Sequence, residues 1–157
     1  MTTTFADYAA GAEARKDIAA KVLAHSLELC EALRQNYINY AIRMSKVSMS
    51  MDNGVDKKYY EDRIAKLEKG ICDVDFTLDT GRKYHKIWHL DSGGSRSCHA
   101  FIDKKTGEVY KPASYKAPAK GVRFNLLIIK EREWVLNPAN CDWAGGYLYR
   151  NSTYFCS

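Results

Sequence analysis

Residues 96–123 read RSCHAFIDKKTGEVYKPASYKAPAKGVR. Arg96 to Asp103 has the alternation of a strand, Asp103 to Gly107 is a Gly-containing turn, and Glu108 to Lys111 returns as a second short strand. The chain then enters a loop with two of its three prolines and four cations, Lys111, Lys116, Lys120 and Arg123, and no acid. Proline fixes φ and limits collapse, so these cations are expected to be held apart on a stiff frame.

Upstream of this stretch, Gly93-Gly94 reads as a tight hairpin turn preceded by a strand from Tyr84 to Leu90. A two-residue loop there makes paired residues sum to 187, so that Trp88 faces His99, His89 faces Cys98 and Lys86 faces Phe101. One sheet face then carries Tyr84, Trp88, Leu90, His99 and Phe101; the other carries His85, Ile87, His89, Arg96, Cys98, Ala100 and Ile102. Both faces are partly apolar, which leaves open which one the helices cover. Val74, Phe76 and Leu78 alternate with polar residues before an Asp79-Thr80-Gly81 turn, and complete an expected antiparallel meander of four strands.

Residues 1–70 have a different period. Thr4 is placed to cap a helix, with Asp7 in its first turn. From there to about Met51 there is no proline, and apolar or small residues recur at Ala19, Leu23, Ser26, Cys30, Leu33, Tyr37, Tyr40, Met44, Val47 and Met51, a heptad seam that Ile18, Val22 and Leu29 widen. A helix of that length outreaches a small domain, so self-association into a homo-oligomer through it is expected. Asp52-Asn53-Gly54 is a turn signal, Asp56 can cap a second helix, and Gly70 is placed to stop it near Lys69. Downstream of the basic loop, the secondary structure of 124–136 is left open, with strand then helix as one reading of Leu126-Leu-Ile-Ile129 followed by Lys-Glu-Arg-Glu; Asn137-Pro138 breaks it, and Tyr147-Leu148-Tyr149 reads as a last strand returning to the sheet. The fold class expected is α+β, a helical hairpin (1–70) packed with an antiparallel sheet and basic loop (71–157) in one domain.

Composition bounds the function. No apolar run reaches the roughly 18 residues that span a bilayer, and the N-terminus lacks a basic start followed by an apolar core. The five cysteines are odd in number, dispersed and never in CxxC spacing, which fits reduced thiols in a cytoplasmic protein rather than a disulfide framework or zinc ribbon. Asn151-Ser-Thr matches a glycosylation acceptor, a chance match without secretion. Net charge is +5, unevenly placed: residues 81–123 hold ten Lys/Arg against three Asp/Glu, a local +7, so the rest sums to −2. Concentrated positive charge points to an anionic partner.

The candidate site follows from that charge. Lys111, Lys116, Lys120 and Arg123 are placed to meet phosphate oxygens, Ser114 and Asn125 to supply polar contacts, and Tyr115 and Trp88 to stack on a base, with Arg96 and His99 on the neighbouring strand. His85, His89 and His99 raise the question of a metal, but two histidines four apart on a strand lie about 13 Å apart, too far for one ion. Cys98 beside His89 lacks a third orienting group, and no phosphate-binding glycine loop is present. No metal or cofactor is expected.

Arg96 to Asn125, RSxHxFIDxxTGEVYKxASYxAPAKGxRxN, resembles small uncharacterised proteins of tailed bacteriophages, which tend to end in a Gly-aromatic-Leu-Tyr segment like Gly146 to Tyr149. The resemblance covers about a third of the chain and carries no reaction with it; its phage setting implies sequestration of a host nucleotide signal as a class of function. The leading expectation is a non-catalytic binder of a phosphate-bearing nucleotide. The alternatives are a nucleic-acid-binding protein, a phosphodiesterase using His89 or His99, and an inhibitor that binds a host protein through the helices.

Overall fold

The computed structural model describes residues 4–51 and 54–149. In chain order these form α1 (Phe5–Met51), α2 (Lys57–Glu68), β1 (Asp75–Thr80), β2 (Tyr84–Leu90), β3 (Arg96–Asp103), β4 (Glu108–Tyr110), β5 (Phe124–Asn125), α3 (Ile129–Val135) and a 3₁₀ turn (Gly146–Tyr149). The fold is α+β: a long helix lies on one face of a five-stranded antiparallel sheet ordered β1 to β5, and α2 packs back against that helix. Asp52 and Asn53 of the expected turn, the glycosylation triplet at Asn151 and Cys156 lie outside the described residues.

Local chemistry sets the helix ends. Thr4 Oγ1 accepts the Asp7 N–H (3.1 Å) and Asp7 Oδ2 accepts the Thr4 N–H (3.3 Å), a reciprocal capping box. At the end of α2, Gly70 adopts φ +81°, which lets the Ile71 N–H turn back to the Lys66 carbonyl and the Gly70 N–H to that of Leu67.

The buried stripe of α1 is not one straight seam. Val22, Ser26, Leu29, Cys30 and Leu33 are buried toward the sheet, whereas Ile38, Ala41 and Ser45 are buried in a second cluster with Leu67 of α2. The helix meets two partners at different azimuths, so its covered side rotates along its length. That rotation leaves Leu23, Met44, Val47 and Met51 of the expected seam 41, 43, 43 and 77% exposed. Ser26 and Ser45 are buried without penalty because each hydroxyl donates to the carbonyl four residues back. The sheet contributes Phe76, Ile87, Ala100, Ile102, Val109 and Phe124 to the same core as α1, so the helices cover the His85/Ile87/Ala100/Ile102 face.

Three sequence expectations are corrected. The meander has five strands, not four, because Phe124-Asn125 pairs with Glu108-Val109. Tyr147-Leu148-Tyr149 is a 3₁₀ turn rather than a strand, and it buries Tyr147 and Leu148 in the core. The β2–β3 register obeys the sum of 187 only as far as Ile87↔Ala100; Trp88 then pairs with Cys98 and Leu90 with Arg96. The connection is correspondingly longer, with Asp91 N–H bonded to the Ser95 carbonyl and Asp91 Oδ1 accepting both the Gly93 and Ser95 N–H groups. Only Gly94 takes a positive φ here (+86°), whereas the two-residue turn with positive φ at both positions demands two.

Truncating the sheet-facing stripe tests this packing. Leu29→Ala, at a fully buried position, should lower unfolding free energy by about 2–5 kcal/mol, and Met44→Ala by less than about 1 kcal/mol, in urea titrations read by circular dichroism.

Candidate anion-binding site

The shift of register makes His99 a β-bulge: β2 offers it no partner. Its ring leaves the Trp88 side and enters the core side, stacked on Tyr147 (5.6 Å between centroids), edge-on to Phe76 (5.3 Å), with Nε2 2.8 Å from the Tyr147 hydroxyl. At 7% exposure, His99 faces the core and Tyr147 and not the cleft on the Trp88 side. Burial, reinforced by neighbouring His89, pushes its pKa down to about 3. His89, stacked on Phe76, is on this side too, and burial lowers its pKa.

The same shift carries Arg96 and Cys98 to the face of Trp88, opposite to the unbroken register. Arg96 lies over the indole with its guanidinium carbon 4.3 Å from the ring centroid. No ion pair among the described residues involves it. Trp88, 7% exposed, is thus a floor under the guanidinium rather than an open stacking platform, and its buried indole N–H has no hydrogen-bond partner among the described residues.

A cleft opens beside this pair because the β3–β4 ladder stops. The strands pair only at Phe101↔Tyr110 and Ile102↔Val109. Two residues further on, Pro112 has no N–H to give, and the Ala113 and Ser114 N–H groups turn instead to the Ala117 carbonyl, inside a small hairpin closed by a Pro112↔Pro118 bridge. Backbone continuing from β4 therefore diverges from β3 and leaves a gap of about 540 Å³, lined by Trp88, Arg96, Ser97, Cys98 and Pro112 to Tyr115. Lys86 pins the hairpin tip across it by donating to the Tyr115 carbonyl, with its ammonium also over the Trp88 and Phe101 rings (5.5 and 5.3 Å). The Cys98 thiol has its pKa raised by burial, partly opposed by Lys86, so it is held as the protonated, unreactive form.

Of the residues expected in the site, Trp88, Arg96, Ser114 and Tyr115 come together around this cleft. The loop cations do not line it. Lys111 sits 3.9 Å over the ring of Tyr149, Lys116 lies over Tyr115 at the tip, Lys120 is exposed, and Arg123 returns its N–H to Val109 at the loop's base. Asn125 accepts the Leu127 N–H (2.8 Å) at the turn into α3 and does not reach the cleft. Sequence reasoning missed Ser97, Cys98 and the pinning role of Lys86. The signal available was Pro112, which marks where a ladder must break.

A wider concavity of about 690 Å³, between α1 and residues 138–144, is lined by Asn36, Tyr40, Arg43, Asn140, Asp142 and Trp143 among others. Much of its polar chemistry is spent internally: Asn36 bonds Pro138 and Trp143, Asn140 donates to the Trp134 carbonyl, and both Asp142 oxygens accept backbone N–H groups. That concavity is a strut between helix and C-terminal segment. Among the described residues no three His, Cys, Asp or Glu side chains are grouped to hold a metal, and no helix is long and apolar enough to cross a membrane.

The family model for DUF7717, a family of unknown function, matches residues 5–150. No curated protein and no solved structure matches the chain.

His99 gives the site's supporting side a pH signature. Its folded pKa of about 3 lies below its ordinary value of 6.5, so protonation favours the unfolded chain. Its contribution is complete above pH 6.5 and is lost as pH falls from there toward 3, with a slope of up to about 1.4 kcal/mol per pH unit. The urea midpoint should fall across that window, and His99→Gln should flatten the fall. Tyr147→Phe, which strands the imidazole without its partner, should cost about 1–3 kcal/mol at neutral pH.

Proposed function

We propose that this chain, which belongs to DUF7717, binds a small phosphate-bearing ligand of the nucleotide class in the cleft between β3 and the 111–119 hairpin. The observation that carries the reading is the guanidinium of Arg96 laid on Trp88 at the cleft, with no carboxylate among the described residues paired to it. A stacked guanidinium is fixed in plane and keeps its N–H edge free for two-pronged contact with a phosphate. Ser114 borders the same space, and the diverging strand edges, Ser97 among them, offer backbone groups that no ladder consumes. Tyr115, 60% exposed at the tip, supplies a ring for a base.

The reading is of binding without turnover. The histidines that a phosphodiesterase would need, His89 and His99, pack on the α1 side of the sheet, and the thiol at the cleft, Cys98, is held protonated. Together with the resemblance of residues 96–125 to tailed-phage proteins, this supports sequestration of a host nucleotide signal, a counter-defence role. A second reading has its own observation: Tyr115 with Lys116 over its ring forms an exposed cationic tip suited to single-stranded nucleic acid.

Titrating the protein with inorganic phosphate and with adenosine and guanosine mono-, di- and triphosphates, read by tryptophan fluorescence and calorimetry, tests the reading. Arg96→Ala should weaken binding at least about tenfold, the loss of one charge-assisted contact of about 1.5–3 kcal/mol. Arg96→Lys should not restore it, because an ammonium neither stacks in plane nor forks. Lys120→Ala should leave affinity within about twofold at moderate salt, since exposed charge is screened. Full affinity in Arg96→Ala would remove the cleft from consideration. Binding to oligonucleotides alone, with a steep salt slope, would favour the cationic tip.

A further inference from the structure

Of residues 5 to 21 in α1, none is buried. This arm is a helix of about 25 Å standing clear of the core, although isolated helices this short are marginal in water unless an amphipathic face is covered. The uncovered side has a pattern. Phe5, Ala9, Ala12, Lys16, Ala19 and Leu23 follow one another at alternating steps of four and three, and Leu27 continues the line. Phe5 is 85%, Leu23 41% and Leu27 48% exposed. That is a heptad seam with an aromatic residue at one end, leucines at the other and alanines between, which allow close helix approach, broken at its midpoint by Lys16, a single polar seam residue of the kind that sets register at a cost in stability.

We infer that the arm pairs with the arm of a second copy of this chain, antiparallel, along the Phe5–Leu27 seam. Charge is compatible with a self-partner: residues 5–21 hold Asp7, Glu13 and Asp17 against Arg15, Lys16 and Lys21, a net zero in a chain of net +5, so the arms carry no net repulsion, and the two Lys16 that meet at the seam's midpoint each have Glu13 and Asp17 close by in sequence. Direction follows from what lies further along the helix. The line of the seam continues through Ile38, Ala41 and Ser45, where α2 is already packed through Leu67. A parallel partner helix would run into α2; an antiparallel one reaches its own end near Leu27, short of it. The antiparallel pair also opposes the two helix dipoles and brings Phe5 of each chain to the leucines of the other. Phe5 alone offers most of an aromatic surface of about 150–250 Å², and a seam running about 33 Å brings each chain toward the roughly 800 Å² per partner of a stable interface.

Sedimentation velocity of the full chain over roughly 1–100 µM should show a dimer that dissociates on dilution. Leu23→Glu combined with Leu27→Glu, both at exposed positions, should give a monomer at every concentration while preserving the melting transition of the core, with some helix signal lost as the unpaired arm frays. An Ala9→Cys chain mixed with a Leu23→Cys chain should cross-link on oxidation as the hetero-pair ahead of either homo-pair, against a wild-type control for the native thiols. Three results would each overturn the inference: a wild-type chain that stays monomeric at the top of that concentration range, a dimer that survives the double Glu substitution, or Ala9→Cys chains that cross-link to one another in preference to the Leu23→Cys chain.

Discussion

His99 has no partner in β2, and much of the molecule's plan descends from that one unpaired residue. Up to Ile87↔Ala100 the hairpin is regular; one residue later every side chain of the β3 start has changed sides. The imidazole goes to the core, where its bond to Tyr147 ties the C-terminal segment to the sheet. Arg96 goes the other way, onto Trp88. A regular ladder would have turned the guanidinium to the core-facing side of the sheet, a less favourable place for an unpaired charge. The bulge therefore separates two incompatible chemistries: a neutral buried imidazole on one side and a solvated, oriented cation on the other.

The loop cations show how charge density differs from charge convergence. Sequence places ten Lys/Arg within 81–123, yet each principal cation has its own geometry: Lys86 on a carbonyl and two rings, Lys111 on Tyr149, Lys116 on Tyr115. Ammonium groups repel one another and gain from nearby π faces, so a loop rich in both spreads its lysines over its aromatics. What remains concentrated at the cleft is one guanidinium held by stacking.

The helix ends and the order of the first four strands were legible because each rests on local rules: the Thr4/Asp7 box, Gly70 with its positive φ, and alternation around Phe76 and Ile87. The register beyond Ile87 was not, since a Gly-Gly pair permits a two-residue turn but does not require it, and Asp91 instead organises a longer loop with its carboxylate. Nor was the fate of Tyr147 to Tyr149, whose apolar alternation over so few residues fits strand or 3₁₀ turn alike. The cleft was half legible: Trp88, Arg96, Ser114 and Tyr115 were named from residue type and come together there, while the partition of Arg96 from His99 depended on one inserted residue that carries no composition signal.

The gap beside β3 owes its width to Pro112 and to the Ala117 carbonyl that captures two N–H groups, not to the side chains that line it. Its walls are therefore set by the main chain, and residues such as Ser97 and Ser114 are exposed and carry little of the fold's stability. Substitution there changes the lining of the gap without loosening the frame that holds it open. A chain built this way separates the residues that face the gap from those that fix its shape, so the two sets can vary independently.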